Sequence, residues 1–255
     1  MSSPVENRRA KILKIITDNG EAKISDISEL LDASEISIRR DLIELEKAGL
    51  LKRTHGGAIS TTKLIQEQSF KEKMNRNLEK KQRIASEVVK MIQKGDIIIL
   101  DSGTTVLQIA CMIKNPQELT VVTPSLPVVE TLRVYSGINL TLVGGTYNPV
   151  YQSLVGPLTV KNISQFHVNK AFIGVDGLSI SHGLTTTTIL QAEVVQAIIK
   201  ASREVIVIAD SSKIGKVGFT SIASLTKVHK LITGKEADKN FIEELGSKGI
   251  EVILV

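Results

Sequence analysis

The sequence predicts an α/β protein in two parts, and three observations carry that expectation. Seven apolar runs of strand length follow Gly95 and alternate with segments long enough for helices. The first sixty residues carry three helical periodicities and then a hairpin pattern. Between the two, from Thr61 to Asn77, no apolar face of one period persists. A chain of 255 residues is long enough for two domains at roughly 100–200 residues each. The expected boundaries are 1–60, a linker at 61–77, and 78–255.

Ser3-Pro4-Val5-Glu6 has capping-box spacing with Pro at the first helical position, and Ile12, Ile15 and Ile16 follow at helical spacing up to Asn19-Gly20. Ser25 is positioned to cap a second helix whose Ile27, Leu30 and Leu31 turn inward. Ser34 is positioned to cap a third, running to Gly49, a residue suited to a left-handed stop. At 100° per residue Ile38, Leu42 and Leu45 share one stripe of that helix, leaving Ser37, Arg40 and Glu44 near the opposite face with Ile36 and Ile43.

An exposed helix carrying Arg and a hydroxyl near its start suits the major groove, because a guanidinium can fork onto guanine O6 and N7. Ile36 would meet a thymine methyl. Leu50 to Thr54 reads as a strand, His55-Gly56-Gly57 as a turn and Ala58-Ile59 as a returning strand, which together make a basic hairpin for phosphates. A three-helix bundle with solvated charges has the same spacing. Asp41 reads as structural, since an acid facing DNA repels phosphate; orienting Arg39, Arg40 or the hairpin is its expected task.

Composition narrows the function classes. The formal net charge of +5 is compatible with an anionic partner. Aromatic residues make up 3% with no Trp, which argues against a stacking platform for single strands and so favours duplex. Cys111 is the single cysteine, and it makes no zinc-type spacing with His55, His167, His182 or His229. No metal and no cofactor are expected. MSSPVENRRAK lacks the apolar core of a signal peptide and no apolar run reaches membrane-spanning length, so a soluble cytoplasmic protein is expected.

From Leu78 a helical pattern returns through Ile84, Ala85, Val88, Val89 and Ile92, ending at Lys94-Gly95. Lys80, Lys81 and Arg83 read most simply as its solvated face, with contact to DNA backbone as the alternative. The strand-like runs are then 97–100, 119–122, 138–143, 170–175, 204–209, 230–233 and 251–255. Strands apolar on successive residues and separated by helices imply a mostly parallel sheet covered on both faces.

In such sheets ligands bind at the carboxyl ends of strands. Asp101-Ser102-Gly103-Thr104-Thr105 lies there, before a helix carrying Val106, Leu107, Ile109, Ala110 and Ile113. Helix-end amides, three hydroxyls and the close approach allowed by Gly103 make an anion cradle; an ordinary strand-helix turn capped by Ser or Thr uses the same residues. Gly144-Gly145, Gly174 to Gly177 and Ala209 to Lys213 end other strands.

SEISIRRDLIELEKAGLLKRTHGGAI resembles the winged helix-turn-helix of the DeoR family of bacterial transcription regulators, over Arg8 to Ile59. DIIILDSGTT, LTVVTPSLPVV, LTLVGGTYNP, SLVGP, KAFIGVDGLSISHGLTT, QAEV and VIVIADSSKIG are similar, in order, to blocks of that family's C-terminal sensor domain, whose fold resembles ribose-5-phosphate isomerase, glucosamine-6-phosphate deaminase and CoA transferases. The resemblance implies duplex operator DNA near Ser34, Ser37, Arg39 and Arg40, with Lys52, Arg53 and His55 in the wing. It also implies a sugar-phosphate effector held by Asp101, Ser102, Gly103, Thr104 and Thr105, with Gly145, Asp176, Gly177, Glu193 and Lys213 lining the rest of the site.

Three positions depart from the family pattern: Pro124 where Asn is usual, Thr187 where Pro is usual, and Gln191 where an acid is common. The expected function is a carbohydrate-operon repressor, working as a homodimer or homotetramer. The competing readings are an isomerase-like enzyme using Asp176 and Glu193 with Lys213 on the phosphate, and a DNA-binding oligomer that ignores ligands. The absence of a Ser-His-Asp pattern, a P-loop or a G-x-G-x-x-G fingerprint weighs against catalysis.

Overall fold

In the first helix, α1 (Pro4–Asn19), Ile12 and Ile16 are fully buried. A short strand, β1 (Glu21–Lys23), leads into α2 (Ile24–Leu31), and α3 (Glu35–Lys47) precedes the hairpin β2 (Leu51–Thr54) and β3 (Gly57–Ser60). The strands pair antiparallel in the order β1-β3-β2. Ile38, Leu42 and Leu45 are buried, as their spacing predicts, together with Ile24, Ile27, Leu51 and Ala58. The structure is a computed structural model and describes residues 4–19, 21–48, 50–54, 56–60, 69–114 and 118–255. Ser3, Gly20, Gly49, His55 and residues 61–68 of the predicted linker lie outside the described residues.

Two details of this unit differ from expectation. Ser25 is not a cap: α2 starts two residues earlier, with Lys23 as its N-cap and no side-chain capping bond. The earlier start makes Ile24, Ile27 and Leu31 the inward stripe, so Leu30 falls outside it and is 68% exposed.

The second unit begins with α4 (Phe70–Asn75) and α5 (Leu78–Lys90). The helix α4 lies within the predicted linker; Ser69 accepts from the Glu72 amide and Glu72 accepts from the Ser69 amide, a capping box that lets a six-residue helix form with Phe70 buried. α5 ends at Lys90, short of Lys94-Gly95.

There follow β4 (Ile97–Leu100), α6 (Thr104–Met112), β5 (Leu119–Thr123), α7 (Leu126–Leu132) and β6 (Ile138–Leu142). The hairpin β7 (Thr146–Asn148) and β8 (Ser153–Val155) leads to α8 (Pro157–Ile163), β9 (Val168–Gly174), β10 (Gly177–Ser179) and β11 (Gly183–Thr186). α9 (Ile189–Ala201), β12 (Ser202–Ile208), β13 (Thr220–Ala223), β14 (Lys230–Thr233), α10 (Lys239–Ser247) and β15 (Glu251–Leu254) complete it.

All seven strand-like runs of the sequence enter one sheet, ordered β15-β14-β12-β9-β4-β5-β6, and every pairing in it is parallel. Successive residues explain the unbroken apolar runs. Ile98, Leu100, Phe172, Ile206 and Ile208 pack on one face with Ile84 and Val88 of α5 and Val106 and Ile109 of α6. Ile99, Ala171, Ile173, Val205 and Val207 pack on the other with α8, α9 and α10. A strand buried on both faces has no polar side to alternate with.

The chain order fixes where the sheet opens. After β4 the strands proceed to β5 and β6 on one side; after β9 they proceed to β12, β14 and β15 on the other. The carboxyl ends of β4 and β9 therefore form a topological switch point, where the outgoing loops part and leave a crevice. β10, β11 and β13 form a separate antiparallel sheet. Among the described residues no helix is long and apolar enough to cross a membrane.

Candidate nucleic-acid interface and effector site

Ser34 caps α3, its hydroxyl accepting from the Ser37 amide at 3.3 Å and lying 3.0 Å from the Ser37 hydroxyl. Ile36, Arg39 and Arg40 project from the same exposed surface of α3, and Ile36 is 66% exposed. Arg39 pairs with Glu35 at 3.0 Å, one turn back. In the wing, Arg53 donates from Nε to Glu46 at 2.6 Å and its amide donates to the other carboxylate oxygen at 2.8 Å, which anchors β2 to α3. Hydrogen bonds from Arg53 hold the Glu46 carboxyl below the usual carboxylate range. Lys52 is exposed beside it.

Asp41 is structural, but its partners are not those expected. It is 2% exposed and accepts from Nε of both Arg8, at 2.6 Å, and Arg9, at 2.9 Å, so it ties α3 to α1 rather than orienting Arg39, Arg40 or the hairpin. Basic residues a full helix earlier in the chain gave no spacing signal for this pairing.

At the switch point the turn after β4 leads from Asp101 into the N-terminus of α6. Gly103 is the N-cap of α6 at φ +119 and ψ 162, with no side-chain capping bond, as with Gly156 at α8, whereas α7, α9 and α10 are each capped by a Ser, Thr or Asp side chain. Open space surrounds the position a Gly103 Cβ would take, so backbone conformation and not crowding requires glycine. Ser102 and Thr104 are buried and Thr105 half-buried. Ser102 Oγ accepts from Gln191 Nε2 at 2.9 Å, and the Gln191 Oε1 has no partner among the described residues. Asp101 accepts from the Gly174 amide at 3.3 Å, bridging β4 and β9; burial pushes its carboxyl up to about 7.

Across the crevice Asp176 is 5% exposed. One of its oxygens, Oδ2, accepts from Tyr151 Oη and Thr186 Oγ1, each at 2.9 Å. The other, Oδ1, accepts from Lys73 Nζ at 2.7 Å, with Lys213 Nζ at 3.9 Å. Burial raises the carboxyl, but Lys73 and Lys213 together outweigh it and hold Asp176 below the carboxylate range. The Lys73 ammonium also lies 4.9 Å from the centre of the Tyr151 ring.

Lys81 is 4% exposed and donates to the Lys73 carbonyl, so it is no part of a solvated face. Burial lowers its ammonium to about 8, Asp210 opposes this, and Lys213, Lys73 and Arg76 lower it further. Lys80 donates to Ser211 Oγ at 3.1 Å, Asn77 Nδ2 donates to Asp210 Oδ1 at 3.1 Å, and Arg83 pairs with Glu236 at 2.7 Å.

Of the sequence-predicted effector residues, Asp101 to Thr105, Asp176 and Lys213 thus gather at the ends of β4, β9 and β12. Gly177 begins β10, its carbonyl accepting from Thr185 Oγ1 at 3.2 Å. Gly145 serves packing: a Cβ there would lie 1.8 Å from Thr159 Oγ1. Glu193 is exposed on α9, and the buried side chain of that helix that reaches the turn is Gln191. Sequence reasoning missed Lys73 and Tyr151, read Lys81 as solvated, and named Asp210 only within the strand-end segment Ala209 to Lys213. Among the described residues no group of three or more His, Cys, Asp or Glu is arranged to hold a metal ion.

Residues 8–64 match the DeoR-like helix-turn-helix domain and residues 76–235 match the DeoR C-terminal sensor domain. The chain belongs to the DeoR family of transcriptional regulators. It is 35% identical to the transcriptional repressor AccR of Agrobacterium fabrum, over 95% of this chain and 94% of that one. It is 34% identical to the lactose phosphotransferase system repressor of Streptococcus mutans, over 97% and 98%, and 32% identical to the HTH-type transcriptional repressor GlcR of Bacillus subtilis, over 98% and 96%.

Ribose 5-phosphate isomerase A from Methanocaldococcus jannaschii aligns with 54% of the chain and 55% of its own at 18% identity and a TM-score of 0.39. As a DeoR-family member the chain is a DNA-binding regulator of transcription rather than an enzyme, and the interface built on α3 and the wing belongs to its helix-turn-helix domain.

Proposed function

We propose that this DeoR-family regulator represses a carbohydrate-metabolism operon and that a phosphorylated sugar, bound in the crevice between β4 and β9, controls its affinity for the operator. The observation that carries the reading is the uncapped N-terminus of α6 with Ser102, Thr104 and Thr105 around it, facing the pair formed by Asp176 and Lys213. Helix-end amides and hydroxyls bind a phosphate without a cation in the turn. Lys213 across the crevice supplies charge, and Asp176 supplies an acceptor for a sugar hydroxyl. Support from the relatives is that one is named a repressor of the lactose phosphotransferase system.

On the DNA side, Ser37, Arg39 and Arg40 would face the major groove, with Ser34, Lys52 and Arg53 on flanking phosphates. A single winged unit covers only part of an operator, so the regulator would act as a homodimer or homotetramer on a repeated site. The test is calorimetric titration of the full-length protein with glucose 6-phosphate, fructose 6-phosphate, galactose 6-phosphate and ribose 5-phosphate, each beside its unphosphorylated sugar. Binding of a phosphate ester without its parent sugar is the expected result. Equal binding of both, or of neither, would refute the phosphate cradle.

A further inference from the structure

We infer that Lys73 is an internal competitor of the effector: its ammonium occupies Asp176 when no ligand is bound, and a phosphorylated sugar must undock α4 to bind fully. The inference rests on the effector reading above and adds the element that would respond.

The carboxylate of Asp176 is nearly fully committed. Tyr151 and Thr186 both donate to Oδ2, which leaves Oδ1 as the oxygen facing the lysines, and Lys73 holds it at 2.7 Å. A ligand hydroxyl that donates to Oδ1 meets Lys73 there, and a ligand phosphate attracts the same ammonium away. Either way the ligand exchanges a protein-protein ion pair for protein-ligand contacts, so docking of Lys73 and binding of ester oppose each other. Opposed equilibria of this kind are thermodynamically linked.

Besides that pair, α4 is held by a small set of contacts, among them the Lys73 ammonium over the Tyr151 ring. The helix has six residues, Phe70 is its buried apolar anchor, and the Lys73 carbonyl is held by Lys81. Its start depends on the reciprocal bonds between Ser69 and Glu72, both in an exposed setting. α4 is also the first described helix after residue 60. A segment that a ligand undocks at that place in chain order is suited to report occupancy to the DNA-binding part.

Ser69→Ala weakens the capping box without touching the crevice, and Lys73→Met removes the competing ammonium. The experiment measures dissociation constants for the four sugar phosphates named above, by calorimetry, on the full-length wild type, each single variant and the double variant. Ser69→Ala is expected to tighten ester binding by about 5- to 10-fold, the scale set by loss of one helix cap, and to have no such effect in the Lys73→Met background. Unchanged or weaker binding in Ser69→Ala, or equal tightening in both backgrounds, would overturn it and leave the effector reading standing. Failure of all forms to bind any ester would remove the effector reading, and the inference with it.

Discussion

Gln191 Nε2 donates a hydrogen bond to Ser102 Oγ at 2.9 Å, tying the first turn of α9 to the loop that follows β4. Both side chains are buried, so the bond fixes the hydroxyl that would face a phosphate. Gln191→Ala should destabilise the protein by about 1–2 kcal/mol, because Ser102 is left without its donor. Gln191→Glu should weaken binding of a sugar phosphate by at least about tenfold at neutral pH, since a carboxylate then faces the anion. Denaturant unfolding and ester titration check the two outcomes separately.

The helix α3 permits a clean separation of fold from function. Asp41→Ala strips a buried acceptor from Arg8 and Arg9 and should cost about 1.5–3 kcal/mol of stability, the range for hydrogen bonds to charged groups. Arg40→Ala, on the exposed side of α3, should leave the unfolding midpoint unchanged and lower operator affinity by about 1–3 kcal/mol if it makes one bidentate base contact. Parallel unfolding and operator-binding curves decide whether the two residues divide the work in this way.

Asp101 predicts a pH dependence of stability. Burial raises its carboxyl from 3.8 to about 7, so the folded state binds a proton more tightly than the unfolded chain. Its stabilising contribution is complete below about pH 4 and is lost as pH rises through about 7. Asp176 runs the other way, lowered in the fold, and its contribution is lost only on acidification. Between about pH 5 and 7.5 the wild type should therefore lose stability relative to Asp101→Asn, whose amide does not titrate. Parallel curves for the two proteins would exclude a raised carboxyl at this position.

Lys81 gives a proton signature of ligand binding. With its ammonium lowered to about 8, a substantial neutral fraction exists slightly above that pH. An anion bound near Lys81 and Lys213 favours the charged form, so ester binding at about pH 8.5 should take up protons. Titration in two buffers of different ionisation enthalpy measures the uptake, and Lys81→Met should abolish it. Zero uptake in the wild type would place the anion elsewhere.

Much of this architecture was legible in the sequence for a physical reason. IIIL, KAFIGV and EVIVIA are apolar on successive residues because each strand is covered on both faces; a strand with one face in water would alternate apolar with polar instead. The turn before α6 was legible because its backbone need shows as a glycine between hydroxyl residues ahead of an apolar helix. α4 was hidden: six residues with one buried apolar side chain cannot display a period. Lys81 was hidden too, since a lysine within a basic run reads as solvated until another helix's carbonyl is found over it. Tyr151 reaches Asp176 from a hairpin 25 residues away, a contact that no local pattern encodes.

The most direct measurement is equilibrium binding of the full-length protein to its own upstream DNA, at one fixed salt concentration, with the four sugar phosphates and their parent sugars. Salt must be fixed because phosphate contacts make DNA affinity strongly dependent on it. The expected result is a shift of roughly 5- to 150-fold for one ester and none for its sugar, the range of typical allosteric coupling. Tight DNA binding that no ester alters would contradict the proposal that this regulator senses a phosphorylated sugar.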